Sequence, residues 1–173
     1  MIVCKFGGTS VASAEQIKKV FNIVKSNPER KVVAVSAPGK RSSEDIKVTD
    51  LLIDLAEAAL SGGDVDAKID AVVKRYEDIT SGLGLDHTMS EVIAADLRER
   101  VAGDKSNKEL FIDSLKASGE DNNAKLIAAY FNAAGIPARY VSPKEGLVVN
   151  DLPERTYALP EAYDNLSSLK DTE

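Results

Sequence analysis

The chain has 173 residues, 43% of them hydrophobic, and a formal net charge of −6; this fits one globular domain and argues against a nucleic-acid-binding protein, which would concentrate basic residues on one face. A single cysteine, Cys4, leaves no partner for a disulfide within the chain, and we expect a buried free thiol in a reducing compartment. No apolar run approaches the roughly 20 residues that cross a bilayer, and the start lacks the layout of a signal peptide, so we expect a cytoplasmic protein with no membrane partner.

The first 35 residues predict a βαβ unit. Residues 1–6 are mostly apolar and indicate a strand, and residues 32–35 (VVAV) indicate a second strand that is buried on both faces. Apolar residues recur between them at helical spacing, and Ser13 with Gln16 predicts a capping box where this helix begins. Such a unit pairs its two strands in parallel through a right-handed crossover.

The middle of the chain predicts a loop followed by consecutive helices. Residues 38–47 (PGKRSSEDIK) are polar and lack periodicity, which is typical of a mobile surface loop. Helices are predicted over residues 49–60, 64–80, 88–101, 107–115 and 120–134. A Thr88/Glu91 capping box should open the third of them, with His87 beside it in a solvent or capping role. The charged residues of RYEDI (75–79) and LRER (97–100) indicate solvated helix faces.

The remaining segments complete an α/β pattern. Residues 139–142 and 146–150 predict further strands, and residues 163–170 predict a closing helix. Strands on both sides of a helical excursion indicate an α/β fold with a largely parallel sheet. Ligands bind beyond the carboxyl ends of the strands in such sheets.

The segment KFGGTS, residues 5–10, follows the first predicted strand and is rich in groups that hold anions. Gly7 and Gly8 lack a Cβ and tolerate positive φ, so a ligand can approach their N–H groups. Lys5 adds a full positive charge, and the next helix adds the positive end of its dipole. The pattern matches neither the Walker nor the dinucleotide motif. From the residues alone, an anion-binding turn and a plain structural turn beside a solvated lysine both stay open.

The motif KFGGTSV, residues 5–11, resembles the opening signature of the aspartate kinases, members of the amino-acid kinase superfamily. The resemblance continues, in the family's order, in VVAVSAPGK (32–40), KVTDLL (47–52), SGE (118–120), AKLIAAYFNAAGIPARYV (124–141) and LPEAYDNL (159–166). It implies a three-layer αβα sandwich with a largely parallel sheet. It also implies that residues 1–173 form the N-terminal portion of an amino-acid kinase domain, without the C-terminal nucleotide-binding portion and the regulatory ACT domains.

The resemblance implies an activity and its ligands. Aspartate kinases transfer the γ-phosphate of ATP, with Mg²⁺, to the β-carboxylate of L-aspartate and give 4-phospho-L-aspartate, on the route to lysine, threonine, methionine and diaminopimelate. An aspartate carboxyl with an ordinary pKa of about 3.9 is ionised at neutral pH, so no general base is needed. Phosphoryl transfer then depends on positioning and on charge neutralisation.

By the same resemblance, the glycine segment is the phosphate side of the site. Lys5 would contact the phosphates and stabilise the transferring group, which makes it the catalytic candidate. Phe6, Gly7 and Gly8 would form the nucleotide-facing turn, and Ser10 is a weaker candidate at the same turn. No residue is assigned as a metal ligand.

Three more residues complete the implied site, and each has a structural alternative. Ser36 would line the nucleotide cleft, or simply cap the end of a strand. Thr49 would bind the substrate aspartate, or serve as the N-cap of a helix. Glu120 would bind the α-ammonium of aspartate, or stabilise the dipole in the first turn of a helix.

The chain differs from the resembled family in length, and this leaves several functions open. Because a site with missing donors is poorly preorganised, we expect the isolated chain to be a fragment with little or no kinase activity. A non-catalytic ligand-binding or dimerisation fragment and a kinase of another carboxylate are the alternatives. The full-length form is expected to be a homo-oligomer, and a truncated sheet with an unpaired edge also favours association.

Overall fold

A computed structural model describes residues 1–150 and 156–168 of the chain. The fold divides into two compact units, Met1–Ala138 and Arg139–Glu173. The first unit contains the sheet, the long helices and the hydrophobic core.

The predicted βαβ unit is confirmed. Strands β1 (Ile2–Phe6) and β2 (Arg30–Val35) form a two-stranded parallel sheet, and helix α1 (Ala14–Lys25) connects them. The Ser13 side chain accepts a hydrogen bond from the N–H of Gln16 at 3.4 Å, so Ser13 is the N-cap of α1 as predicted. The α/β class with a parallel sheet is therefore confirmed.

Four long helices follow the sheet, as the periodicity predicts, but with one difference. They are α2 (Val48–Ser61), α3 (Val65–Leu83), α4 (Thr88–Val101) and α5 (Lys108–Ala133). The prediction of two helices over 107–115 and 120–134 is wrong, because α5 runs through both without a break. Ser118 and Gly119 are weak helix formers and therefore looked like a break. They are buried in the middle of α5, where tertiary packing overrides the propensity.

The predicted capping box of α4 is also wrong. His87 occupies the N-cap position and makes no side-chain cap, while Asp86 Oδ1 accepts a hydrogen bond from the N–H of Thr88 at 2.9 Å. The helix thus begins at Thr88, one residue earlier than a Thr88 N-cap would require, and the carboxylate of Asp86 accepts from its first N–H. His87 itself is exposed, in keeping with its predicted solvent role.

The core lies on one face of the sheet. Phe6, Val33 and Val35 pack against a cluster that includes Ile17 of α1 and Leu52 of α2. On the other face Val3, Lys5, Val32 and Ala34 are exposed, with Val3 at 64% and Val32 at 44%. The prediction that β2 is buried on both faces is wrong for the described residues, whose helices cover only one face.

The second unit is smaller and contains little regular structure. Its described residues form a one-turn 3₁₀ helix (Pro143–Glu145), an antiparallel bridge between Val149 and Ala158, and helix α6 (Pro160–Ser168). The predicted strands at 139–142 and 146–150 are absent among these residues. Ser142 and Glu145 form a capping box that turns the chain, and Pro143 has no N–H for a ladder.

The closing helix begins three residues earlier than predicted, at Pro160, a residue type that suits the first turn. Its predicted end at residues 169–170 lies outside the described residues. Among residues 1–150 and 156–168, no helix is both long and apolar enough to span a membrane.

Candidate functional site

A short loop after β2, residues 36–39, is the centre of the candidate site. The N–H of Ser36 donates to the carbonyl of Phe6 at 3.0 Å, and the N–H of Gly39 donates to the carbonyl of Gly8 at 2.9 Å. The carbonyl of Pro38 accepts from the N–H of Val48, the first residue of α2, at 3.0 Å. The loop therefore joins the glycine turn directly to the beginning of α2.

The middle of α5 contacts the same loop. Glu120 Oε1 accepts a hydrogen bond from the N–H of Ala37 at 3.2 Å, and Asn123 Nδ2 donates to the carbonyl of Ser36 at 2.7 Å. Close approach requires glycine at position 119, since a Cβ there would lie 2.8 Å from the Cβ of Ala37. Three segments that are distant in sequence thus meet around residues 36–39.

A buried tyrosine fixes the position of α5 beside the loop. Tyr76 Oη donates to the carbonyl of Gly119 at 2.9 Å, and the tyrosine is 1% exposed. Burial, with the nearby carboxylate of Glu120, raises the pKa of Tyr76 far above its usual range. Tyr76 therefore stays a neutral donor at any ordinary pH.

The two glycines of the turn differ in what surrounds them. Neither has a positive φ, so the backbone conformation of the turn does not itself require glycine. A Cβ at Gly8 would lie 3.0 Å from the carbonyl oxygen of Ala37, whereas a Cβ at Gly7 would meet nothing within 4 Å. Gly8 is thus required by the packing of two backbone segments, and the space above Gly7 is open.

The helix dipole expected to act at the glycine turn begins further along the chain. Gly8–Val11 is one turn of 3₁₀ helix, and α1 begins only at Ala14 with its own N-cap. Ser10 lies in this 3₁₀ turn, is exposed, and donates its N–H to the carbonyl of Gly7 at 2.9 Å. The dipole of α1 therefore does not begin at the glycine turn, which leaves backbone N–H groups and Lys5 as the candidate anion-binding groups there.

Lys5 projects from the open face of the sheet. It pairs with Ala34 in the register and is exposed, on the face opposite Cys4 and Phe6. Cys4 is only half-buried, less than predicted. Within residues 1–150 and 156–168, the Lys5 ammonium has no hydrogen bond or ion pair. It is therefore available to a ligand at the carboxyl end of β1.

The structural alternatives for Ser36, Thr49 and Glu120 do not hold. Among the described residues the Ser36 hydroxyl caps nothing, and only the backbone of Ser36 is bonded. Lys47 is the N-cap of α2, so Thr49 is instead the second residue of that helix, half-buried. Glu120 is in the middle of α5 rather than in a first turn.

A second cluster, which the sequence analysis missed, holds the rest of the loop. Arg75 of α3 is 5% exposed and donates from Nη2 to the carbonyl of Gly39 at 2.8 Å. Its Nη1 lies 3.3 Å from Asp45 Oδ2, and Asp45 is also bound by Arg41. The hydrogen bond from Arg41 holds the pKa of Asp45 well below its usual range. Burial, reinforced by the neighbouring charge of Arg41, lowers the pKa of Arg75.

The interpretation of Arg75 as a residue of a solvated helix face is thus wrong, and the predicted surface loop is bonded to the rest of the unit at Gly39 and Asp45. The sequence contained a signal: Arg75 is three residues after Val72 and four before Ile79, both on the buried stripe of α3. Arg100, predicted solvated for the same reason, is half-buried and binds Asp96 and Asp121.

Metal binding finds no support in the part of the chain that the structure describes. No group of three or more His, Cys, Asp or Glu residues there could hold a metal ion. A Mg²⁺ that arrives with ATP needs no such cluster, because substrate phosphates and water supply most of its ligands.

Comparison with known proteins places these features in a family. The model of the amino acid kinase family matches residues 1–168. Aspartokinase 3 of Bacillus subtilis is 53% identical over 172 residues, which cover 99% of this chain and 38% of that protein. The chloroplastic aspartokinase 2 of Arabidopsis thaliana is 32% identical over 158 residues, 86% of this chain and 28% of that protein.

Solved structures show the same relationship. The aspartate kinase of Clostridium acetobutylicum has a TM-score of 0.79 at 27% identity and is similar over 97% of this chain and 35% of its own. The E. coli aspartokinase III, solved with lysine and aspartate, shares the fold with a TM-score of 0.72 at 23% identity, over 98% of this chain and 37% of its own. The chain spans less than two fifths of the length of these relatives. Since the family model covers nearly all of it, the chain belongs to the amino acid kinase family.

Proposed function

We propose that this chain is the part of an aspartate kinase that binds L-aspartate and the phosphates of ATP. The observation that carries the proposal is the loop of residues 36–39, bonded directly to the glycine turn, to α2 and to Glu120. These are the segments in which the resemblance to aspartate kinases is concentrated. The similarity to aspartokinase 3 over 99% of the chain supports the same assignment.

The glycine turn and Lys5 form the phosphate side of the proposed site. The open space above Gly7 lets phosphate oxygens approach the turn of Phe6, Gly7 and Gly8, where the N–H groups of the two glycines would meet them. Lys5 supplies the positive charge that stabilises the transferring phosphoryl group, and Ser10 is at the far end of the turn. Ser36, whose N–H is bonded to the carbonyl of Phe6, would line the same cleft, and its hydroxyl has no hydrogen bond among the described residues.

The start of α2 and Glu120 form the aspartate side. Thr49 offers a hydroxyl in the first turn of α2, where its own N–H and the helix dipole favour a carboxylate. Glu120 Oε1 is bonded to the N–H of Ala37, and its second oxygen is left to accept from the α-ammonium of aspartate. Thr49 would thus hold a carboxylate of the substrate, and Glu120 would hold its α-ammonium group.

In the proposed reaction, one β-carboxylate oxygen of L-aspartate forms a bond to the γ-phosphorus of ATP. The bond from that phosphorus to the β,γ-bridging oxygen breaks, and ADP leaves. The products are 4-phospho-L-aspartate and ADP, and no proton moves because the carboxylate is already ionised. The residues of this chain position the two reactants and neutralise charge.

The wider setting is part of the proposal. The chain would be the N-terminal portion of the kinase domain of a cytoplasmic homo-oligomer, using ATP with Mg²⁺ and serving lysine, threonine, methionine and diaminopimelate synthesis. The chain covers only 38% and 35% of two of its relatives, which supports the proposal that the 173 residues alone have little or no activity. The exposed face of the sheet favours the alternative of a binding fragment without catalysis.

Calorimetry on the 173-residue chain tests the assignment. We expect L-aspartate to bind more tightly than L-glutamate or N-acetylglutamate. Thr49→Val and Glu120→Gln should each weaken L-aspartate binding about tenfold or more, since each removes a hydrogen bond to a charged group. Glu99→Gln, an exposed glutamate of α4, is the matched control and should bind like the wild type.

Equal affinity for glutamate, or no loss in the Thr49 and Glu120 variants, would contradict the substrate. Aspartate-dependent ADP formation on the same chain tests the fragment proposal. Turnover like that of a full-length aspartokinase would overturn that proposal, and ATP affinity without turnover would keep it.

A further inference from the structure

We propose that Arg75 is a positioning residue of this site, which fixes the spacing between the glycine turn and the start of α2. The guanidinium is anchored at both ends of the connecting loop, residues 36–47. The identity of the ligands on either side rests on the proposed function, while the anchoring itself depends only on the contacts of the chain.

The first anchor is Gly39. Arg75 Nη2 donates to the carbonyl of Gly39 at 2.8 Å, and the N–H of the same residue donates to the carbonyl of Gly8 at 2.9 Å. Both backbone groups of Gly39 are thus bonded, one to α3 and one to the turn. A Cβ at Gly39 would lie 2.6 Å from the carbonyl carbon of Gly8, so the two backbone segments are in direct contact. Arg75 therefore restrains the glycine turn through one residue.

The second anchor is Asp45, near the other end of the loop. Its carboxylate is 3.3 Å from Arg75 Nη1, and it accepts hydrogen bonds from Arg41 Nε and the Arg41 N–H at 2.9 and 2.8 Å. Asp45 is two residues before Lys47, the N-cap of α2, and Thr49 follows in the first turn. The same guanidinium therefore restrains the segment that presents Thr49.

The surroundings of Arg75 give no reason to expect that its charge stabilises the fold. Its side chain is 6% exposed, and its Nε and Nη1 make no hydrogen bond among the described residues. Asp45 and Asp78 face it as negative groups, and Arg41 faces it as a positive one. A buried guanidinium with unused donors is unfavourable, and an apolar residue of similar volume often serves stability as well or better. A role in placing the loop accounts for the charge.

Arg100 provides a matched control because its bonds are of the same kind. It donates from Nη1 to the carbonyl of Ser114, and it binds Asp96 and Asp121, each at 2.9 Å. All three partners are on α4 and α5, and none belongs to residues 36–47. Changing Arg100 therefore removes one carbonyl bond and two aspartate contacts without touching the loop.

The test compares Arg75→Lys, Arg75→Met, Arg100→Lys and Arg100→Met in the 173-residue chain. Three quantities are measured: exchange of the Gly39 and Val48 amide hydrogens by NMR, L-aspartate affinity by calorimetry, and the urea midpoint. In Arg75→Met we expect Gly39 exchange to rise and L-aspartate affinity to fall, each about tenfold or more. Arg75→Lys should lie between, because an ammonium is a single point donor rather than a planar fork.

The Arg100 variants should lower the urea midpoint and leave Gly39 exchange and L-aspartate affinity unchanged. Wild-type Gly39 exchange and wild-type L-aspartate affinity in a folded Arg75→Met protein would overturn the proposal. So would changes of the same size in the Arg100 variants. If Arg75→Met does not fold, Asp45→Asn breaks the second anchor, and unchanged Val48 exchange there would overturn it instead. A wild-type chain that binds no L-aspartate refutes the proposed function, and Gly39 exchange still decides the role of Arg75.

Discussion

The two faces of the β1–β2 sheet have nearly the same residue types but opposite surroundings. Phe6, Val33 and Val35 pack against the helices, while Val3 and Val32 on the other face are 64% and 44% exposed. Burial of apolar area contributes stability only where partner atoms exclude water. The packed face should therefore carry the stability of this unit, and the open face should contribute little.

The functional residues divide in the same way. Glu120, Asn123 and Gly39 are held by hydrogen bonds on the packed side, where α3 and α5 approach the loop. Lys5 stands on the open face with no partner among the described residues. Residues held by hydrogen bonds and a freely accessible cation are a suitable combination for the proposed site, which would position one substrate and receive the phosphates of another.

The largest effect should come from truncating a core residue beside the loop. Leu52 is fully buried, and its Cδ1 would be 3.0 Å from a Cβ at Gly119. Leu52→Ala removes a fully buried side chain from the core and leaves a cavity, so we expect a loss of about 2–5 kcal/mol in the free energy of unfolding. Urea denaturation followed by circular dichroism measures it. Val32→Ala on the open face should cost under about 1 kcal/mol, and equal losses would remove the distinction between the faces.

The second effect separates two glycines of the site. Gly39→Ala places a Cβ 2.6 Å from the backbone of Gly8, and we expect a loss of about 1–3 kcal/mol from overpacking. Gly7→Ala meets nothing within 4 Å and has φ −74, so its stability should stay within about 0.5 kcal/mol of the wild type.

Although Gly7→Ala should hardly change stability, we expect it to weaken phosphate binding. The added methyl would occupy the open space above the turn, so Gly7→Ala should weaken ATP binding in calorimetry although its fold is intact. Unchanged ATP affinity in Gly7→Ala would contradict a nucleotide at this turn.

The third effect concerns the buried bond between α3 and α5. Tyr76→Phe leaves the carbonyl of Gly119 without its side-chain donor, and we expect a loss of about 0.5–1.5 kcal/mol in unfolding free energy. Tyr163→Phe in α6 is the control, since Tyr163 is 67% exposed. A loss in Tyr76→Phe no larger than that of the control would show that this bond does not hold α5 in place.

The sequence was sufficient for those parts of the fold that depend on local pattern. The βαβ unit and the Ser13 cap follow from apolar periodicity and from the preference of serine for helix starts. The continuity of α5 through Gly119 does not, because it depends on the contact with Ala37 and Leu52, which are distant in sequence. The open face of β2 escaped prediction for a similar reason, since a run of valines is equally apolar on both sides.

The site divides in the same manner. Its residues were named from motifs, yet which of them touch was set by long-range bonds such as Glu120 to Ala37. Local pattern predicts Arg75 to be a surface charge. A helical stripe does not show whether an arginine at its edge donates a hydrogen bond to a carbonyl from another segment. Predicting this contact requires knowing where Gly39 lies in the fold, and the local sequence around Arg75 does not give that position.

The smallest effect should come from the acidity of Asp45. Its folded pKa is below the unfolded value of about 3.9, so the carboxylate contributes stability above that value and loses the contribution as the pH falls below it. Because its partner Arg41 is 41% exposed, we expect the loss to reach at most about 1 kcal/mol. Urea denaturation between pH 7 and pH 2 on the wild type and Asp45→Asn measures the difference. The two stability curves should converge as the pH falls below about 4, and parallel curves would show that Asp45 contributes nothing through its charge.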